Sequence, residues 1–214
     1  MIKINSFISL LSGGLDSPVA LYLMAKRGLK PICLSFLTSD DSSHSMKNKI
    51  INILQGLTLH TDYKLKVYFI DHDYSLSNYI QKCDRKLTCV LCKRLMLRIA
   101  KEIGKKEGTN LIVTGDILGE QASQTLDNLY AYNDIINDHV ILRPLIGFNK
   151  EDVIKINKKL GLYDIISQKS AGCQYNPQYP ETHAKKNEIF DGESKINIES
   201  LIKKALDRAI ILEI

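Results

Sequence analysis

Apolar residues gather in short runs over the first two thirds of the chain, and between the runs they recur every third or fourth position. The runs at Ser6–Leu11, Pro31–Leu37, Lys66–Asp71, Asn110–Thr114 and, more weakly, Val140–Leu142 predict strands. Between the first two, Ser17-Pro18 opens a helix, with Ser17 as cap and Pro18 at the first helical position, and Gly28 closes it. Ile50, Ile53, Leu54 and Leu57 share one helical face, as do Leu91, Leu95, Ile99 and Ile103. Ala122, Thr125, Leu126 and Leu129 make a fourth stripe, and Asn149 caps Lys150–Leu160, which stops at Gly161. Gln168–Asn187, with Pro177, Pro180 and no clear period, reads as a long loop. Ile198–Ile211 then places Leu201, Ile202, Ala205, Leu206, Ala209 and Ile210 on one side of an amphipathic helix that packs back on the sheet.

Strand and helix alternate, and parallel strands need crossovers, so the fold class is α/β, a doubly wound parallel sheet with helices on both faces and a C-terminal helix. A chain of 214 residues suits one core over residues 1–190, with 191–214 as a helical tail packed on the same domain. Composition is that of a globular protein, 44% hydrophobic and 25% charged, which argues against extensive disorder. The net charge of +5 is compatible with a polyanionic partner and equally with proteins that touch no nucleic acid. No apolar run approaches ~18 residues, so no membrane span is expected. The apolar part of the N-terminal segment is too short for a signal peptide, and the five cysteines are an odd count. A reducing cytoplasm is the expected location, where thiol or metal chemistry is expected rather than disulfides.

The segment Ser12-Gly-Gly-Leu-Asp-Ser17 follows the first strand and opens the first helix. In open α/β sheets this turn lies at the carboxyl ends of the strands, where phosphates bind. Gly13 and Gly14 let the backbone curl, the helix adds its positive end, and Ser12 and Ser17 add hydroxyl donors. Asp16 would repel a phosphate unless a divalent cation stood between them, which points to Mg2+. A plain strand-to-helix turn is the bland alternative. The chain has neither G-x-x-x-x-G-K-[ST] nor G-x-G-x-x-G, so Walker-type and dinucleotide chemistry are not supported.

SGGLDS resembles the pyrophosphate-binding loop of the PP-loop ATPases, which split ATP between its α and β phosphates. Together with SGGLDSPVALYLMAKRG, CKRLMLRIA, TGDILGEQASQTLDNL (Thr114–Leu129) and RPLIGFNKEDV (Arg143–Val153), it makes the chain similar to the catalytic domain of the tRNA uracil 4-sulfurtransferases. That family makes 4-thiouridine and in some bacteria serves thiazole formation for thiamine. The resemblance implies a Rossmann-like PP-loop ATP pyrophosphatase domain over 1–190, ATP and Mg2+ as cofactors, adenylation of a uracil oxygen, pyrophosphate release and sulfur insertion. It also implies that Leu10, Leu11, Ser35 and Phe36 frame the adenosine. Alongside it, Gly115 follows a strand end where its backbone can approach the ligand, and the Gln124 amide suits a base or ribose edge. Lys93, Arg94 and Arg143 are placed to meet phosphates. Helix capping by Gln124 and a solvated face for Lys93-Arg94 remain open. So do a small-molecule acceptor and a non-catalytic nucleotide-binding subunit of a thiolation complex.

Sulfur must displace the activated oxygen. By resemblance, Cys173 acts on the adenylated base as a persulfide or a resolving thiol, and a thiolate is the reactive form. Cys89 and Cys92 form a CxxC that resembles archaeal relatives and the 2-thiouridine synthetases. The resemblance implies an iron–sulfur cluster on Cys89, Cys92 and Cys173, with one iron free to take a sulfide. Zinc with Cys83 as a fourth ligand, a dithiol relay and no special role stay open. Cys33 reads as core packing, and the five histidines as solvent or capping residues. The implied partners are tRNA and a sulfur donor. Full-length relatives carry a THUMP region before the catalytic domain, whereas here SGGLDS begins about eleven residues in, so the grip on tRNA is expected from a separate THUMP-type protein or a homodimer. Lysine clusters at Lys101–Lys106, Lys158-Lys159, Lys185-Lys186 and Lys203-Lys204 read equally well as solvated helix faces.

Overall fold

A computed structural model describes residues 5–38, 45–168 and 172–214. The elements run β1 (Ser6–Leu10), α1 (Asp16–Ala25), β2 (Lys30–Leu37), α2 (Ser45–Thr58), β3 (Lys66–Asp71), α3 (Asp73–Lys82) and α4 (Thr88–Glu107). They continue with β4 (Leu111–Val113), α5 (Leu126–Tyr130), β5 (Val140–Leu142), α6 (Lys150–Lys159), α7 (Tyr163–Ser167), α8 (Lys186–Ser194), α9 (Ile198–Asp207) and β6 (Ile210–Glu213). The sheet order is β5-β4-β1-β2-β3-β6, parallel except for β6, which runs antiparallel beside β3.

The strands are almost continuously apolar because both faces of the sheet are covered. Neighbours in β1 separate by the two-residue period: Ile8 and Leu10 join a core with Leu76, Leu91, Leu95 and Ile99 from α3 and α4, and Phe7 joins the opposite core with Val19, Ile50 and Val153 from α1, α2 and α6. Ile196, Leu201 and Ala205 of the final segment belong to the first of these cores. The chain leaves β1 toward β2 and β3 on one side and returns through β4 and β5 on the other. The β1–β4 boundary is therefore the topological switch point, and the crevice beyond its carboxyl ends is the expected ligand site.

Several elements differ from the sequence expectations. The first helix begins at Asp16, so Ser17 lies inside it and Pro18 falls in its first turn, where a missing N–H costs nothing. The stripe at 122–129 is not one helix: the Thr125 hydroxyl caps α5 by accepting from the Asn128 N–H at 3.3 Å, leaving a separate 3-10 turn at Ala122–Gln124. Helix α3 was unforeseen because only Leu76 and Tyr79 of its large apolar residues are buried in a Ser-rich sequence, and α8 because it buries only Ile189 and Gly192. The expected helix Ile198–Ile211 ends at Asp207. Ile210–Glu213 instead satisfies the open edge of β3, with Lys66 opposite Glu213 and Phe69 opposite Ile210. Of the expected loop Gln168–Asn187, residues 169–171 lie outside the described residues. No helix among the described residues is long and apolar enough to cross a membrane.

Candidate active site

At the switch point the turn between β1 and α1 is tied by its own hydroxyls. The Ser12 N–H donates to Ser17 Oγ at 2.8 Å, the Gly14 N–H donates to Ser12 Oγ at 3.3 Å, and the two hydroxyl oxygens lie 3.1 Å apart. Gly13 and Gly14 are not among the positive-φ glycines, so backbone freedom is not why they are needed. Gly13 is short of room: a Cβ there would stand 2.7 Å from Met46 Sδ of α2. Gly115, just past β4, is tighter. A Cβ on it would lie 2.7 Å from Ser17 N and 2.9 Å from Asp16 C, so the absence of a side chain lets β4 approach the start of α1, while Gly115 also lines the cavity at this switch point. That contact fixes where the first turn of α1 sits relative to β4.

A cavity of about 400 Å3 opens there. Its lining includes Leu10, Leu11, Ser12, Asp16 and Ser17 from β1 and the turn into α1, Lys93, Gly115, Asp116 and Gln124, and the three thiols Cys89, Cys92 and Cys173. The structure thus brings the phosphate-type turn and three thiols, carried by segments far apart in sequence, onto one wall system.

Charges in the cavity are paired. Lys150 Nζ, at the start of α6, lies 2.7 and 3.0 Å from the two oxygens of Asp16. Asn149 caps that helix through Asp152 N at 2.9 Å and so sets where Lys150 emerges. Asp116 is fully buried and accepts from Lys93 Nζ at 2.8 Å, Thr114 Oγ1 at 2.7 Å and Arg143 Nε at 3.3 Å. Burial pushes its carboxyl up, but the Lys93 ammonium, the Thr114 hydroxyl and Arg143 more than reverse this and hold it below the ordinary carboxylate range. Lys93 and Arg143, expected to meet phosphates, here both hold the Asp116 carboxylate. One Arg143 Nη is buried without a partner. Gln124 lines the cavity, and its carbonyl oxygen accepts from the Ile117 N–H at 3.3 Å.

Three expectations are corrected. Arg94 does not face phosphates: one step along α4 from Lys93 turns the side chain about 100°, into the protein, where it is 1% exposed. There it forks to Asp134 at 2.6 and 2.7 Å and to Glu193 at 2.8 and 3.1 Å, and donates to the Ala131 carbonyl. Ser35 is fully buried with an unpartnered Oγ, and the Phe36 ring packs against His72 with centroids 4.9 Å apart, so neither lines the cavity. Cys83 donates to the Gly192 carbonyl under α8, outside the cavity wall, which removes it as a fourth zinc ligand.

The Arg94 cluster carries a stability prediction. Arg94→Ala removes the cation of Asp134 and one of the two arginines on Glu193, which Arg98 still holds at 2.5 and 2.9 Å, and should destabilise the fold by about 3 kcal/mol, the low end for breaking a buried pair, read as a lower urea midpoint. Asp134 is one-third exposed and screened, so most of the loss comes through Glu193. Burial raises Glu193, but hydrogen bonds from Arg98 and Arg94 hold it below its ordinary 4.5, and the Arg94 hydrogen bond holds Asp134 below 3.8. Their contribution is complete above those ordinary values and is lost as pH falls through the depressed ones. Wild type should therefore lose more stability on acidification than the variant.

The thiols occupy distinct surroundings. Cys89 and Cys92 sit one turn apart at the start of α4, and Cys173 is exposed. Cys89 Sγ is 3.8 Å from Asn176 Oδ1, and Cys92 Sγ is 3.2 Å from His72 Nε2. Burial pushes the Cys92 thiol up to about 12, with nearby Cys173 and Cys89 adding to the shift, and burial with Cys173 raises Cys89. Cys33, buried in β2, is likewise pushed up to about 12 and is inert packing. Among the described residues, no three His, Cys, Asp or Glu side chains stand close enough to hold a single metal ion. A cluster spreads its thiolates over several irons, so three cysteines lining one cavity fit that donor set better than a closed four-ligand zinc site. For Mg2+, which needs only one or two carboxylates beside phosphate oxygens, Asp16 is a suitable donor.

Sequence reasoning missed Lys150, Asp116 and His72. The first two lie inside quoted motifs, RPLIGFNKEDV and TGDILGEQ, and the motifs were the available signal. His72 carries none.

The family model described as Thiamine biosynthesis protein (ThiI) matches residues 4–198. A protein named probable tRNA sulfurtransferase from Methanosarcina mazei is 40% identical over 213 residues, covering 98% of this chain and 52% of its own length. One of the same name from Methanocaldococcus jannaschii is 36% identical over 197 residues, covering 89% and 50%. The chain thus spans about half the length of the curated relatives it matches. Among solved structures, a 4-thiouridine synthetase in complex with RNA and bound ATP superposes with a TM-score of 0.92 at 26% identity, over 98% of this chain and 55% of that one. The NMN synthetase of Francisella tularensis, at TM-score 0.58 and 18% identity over 96% of this chain and 82% of its own, shares the fold.

Proposed function

The chain belongs to the ThiI family, and from that premise we propose that it carries ATP-dependent tRNA sulfurtransferase chemistry, turning a uracil of tRNA into 4-thiouridine. The observation that carries this reading is the shared cavity, lined both by the hydroxyl-tied turn and by three thiols.

In this reading Ser12, Gly13, Gly14 and Ser17, with the N-terminus of α1, hold the phosphates, and Leu10 and Leu11 border the nucleoside. The uracil O4 attacks the α-phosphorus in line, and pyrophosphate leaves with the electron pair of the broken P–O bond. Lys93, Arg143 and Lys150 neutralise the charge that develops on that leaving group, their carboxylate partners having held them in place beforehand. Asp16 would hold Mg2+, which supplies further charge neutralisation. Sulfur then attacks C4 and AMP departs with the original oxygen. Cys89, Cys92 and Cys173 would hold an iron–sulfur cluster, which supplies an exchangeable sulfide. Without a cluster, Cys173 acts as a persulfide: its outer sulfur bonds to C4, and a second thiol then attacks Cys173 Sγ, leaving a disulfide on the protein and the thiolated base.

The test is pyrophosphate release by the full chain with ATP and Mg2+, with and without tRNA. Release that depends on unmodified tRNA supports the reading. Release stimulated by a small metabolite and indifferent to tRNA replaces it with a small-molecule acceptor. Tight ATP binding with no turnover under any acceptor makes the chain a nucleotide-binding subunit. Adding a THUMP-type protein tests whether the grip on RNA is supplied in trans, and mass in solution tests the homodimer.

A further inference from the structure

His72 follows β3 and stands against Cys92, which lines the cavity, without lining it itself. It is 2% exposed, its ring is braced by Phe36, and its backbone N–H donates to the Leu37 carbonyl at 2.9 Å. Nε2 lies 3.2 Å from Cys92 Sγ, whereas Nδ1 is buried with no hydrogen-bond partner. The bare Nδ1 decides which nitrogen carries the proton. With the proton on Nδ1, a strong N–H donor would be left orphaned and only the weak S–H donor would be paired. With the proton on Nε2, the strong donor is satisfied by sulfur.

We propose that His72 is a positioning residue for Cys92, donating its Nε2–H to the sulfur and holding that sulfur on the cavity wall with its remaining lone pairs free. The proposal rests on the reading that Cys92 takes part in sulfur transfer. A fixed N–H on one side of the sulfur sets where its other valences point, and partners of this kind orient the groups that do the chemistry. The braced ring makes the donor a fixed one, which a mobile side chain or water would not be.

The test compares wild type, His72→Leu and His72→Gln as metal-free full chains under nitrogen at one neutral pH, with iodoacetamide as probe and mass spectrometry resolving Cys89 from Cys92. His72→Leu should slow alkylation of Cys92 about tenfold, the low end of the loss when the partner that orients a reactive group is removed. Cys89 and ATP affinity should stay unchanged, and His72→Gln, which keeps an N–H at a similar reach, should restore most of the rate. An unchanged or faster Cys92 in His72→Leu overturns the proposal, as does a parallel change at both cysteines, which would mean that α4 had loosened. The reading beneath it is checked separately: if Cys92→Ala inserts sulfur normally, that reading fails while the alkylation result still reports the hydrogen bond.

Discussion

Cys173→Ala is expected to lower sulfur insertion into tRNA by at least about 10^4-fold, the scale of deleting a nucleophile or its carrier, while tRNA-dependent pyrophosphate release continues. The two half-reactions separate because the thiols and the SGGLDS turn come from different segments and, among the described residues, no hydrogen bond joins them, so removing one sulfur leaves the hydroxyl ties of the turn as they were. The measurement is paired: pyrophosphate by coupled assay and 4-thiouridine by nucleoside mass analysis. Loss of both together would mean that Cys173 shapes the adenylation site, and retention of both would remove it from the chemistry. Iron and acid-labile sulfide, assayed after anaerobic purification of the same two proteins, then divide the routes. Matching iron and sulfide in wild type, lost in the variant, makes the cluster the sulfur source. A metal-free wild type returns the reaction to a Cys173 persulfide.

Asp16→Asn should reduce pyrophosphate release about 10^3-fold, the upper range for removing one preorganised electrostatic partner of a charged transition state. Asparagine preserves shape and removes charge, and two separate consequences follow. Lys150 loses the carboxylate that holds it at 2.7 and 3.0 Å, and Mg2+ loses its protein donor. Lys150→Met distinguishes them. If the two residues act as one unit, the double variant is no worse than either single one. If Asp16 serves the metal, raising Mg2+ recovers part of the activity of Asp16→Asn and none of that of Lys150→Met. Full retention of activity in Asp16→Asn would remove the metal role from the site.

Much of the architecture was legible in local pattern. The strands β1, β2, β3 and β4 are apolar runs bounded by Gly, Pro, Asn or Asp, and the stripes of α2 and α4 repeat clearly enough to name the buried residues. What failed were elements whose existence depends on a distant partner. Ile210–Glu213 has the residues to continue a helix or to pair as a strand, and the free edge of β3 selects the strand. Helices α3 and α8 bury too few large apolar side chains to declare a period.

The site divides in the same way. Ser12, Asp16 and Ser17 could be singled out from a contiguous turn, because a link between the first strand and helix lies at the carboxyl ends of the strands, and the structure places all three on the cavity wall. Lys93 and Arg94 looked equivalent, and only the packing of α4 separated them: Lys93 reaches the cavity, while Arg94 is buried between Asp134 and Glu193. His72 looked like any isolated histidine until β3 placed it against Cys92.

By itself, then, the sequence determined the doubly wound α/β class, the hydroxyl- and glycine-rich turn between β1 and α1, and the thiol inventory, since each depends on residues within one or two turns or strands of one another. Tertiary structure alone decided that Lys150 meets Asp16 across 134 residues of chain, that Cys173 shares a cavity with Cys89 and Cys92, and that Asp116 gathers Lys93 and Arg143. The reason is geometric. Hydrophobic period reports which face of an element is buried, but the position of that face relative to another depends on where the strand order reverses, and that reversal is a property of the whole sheet.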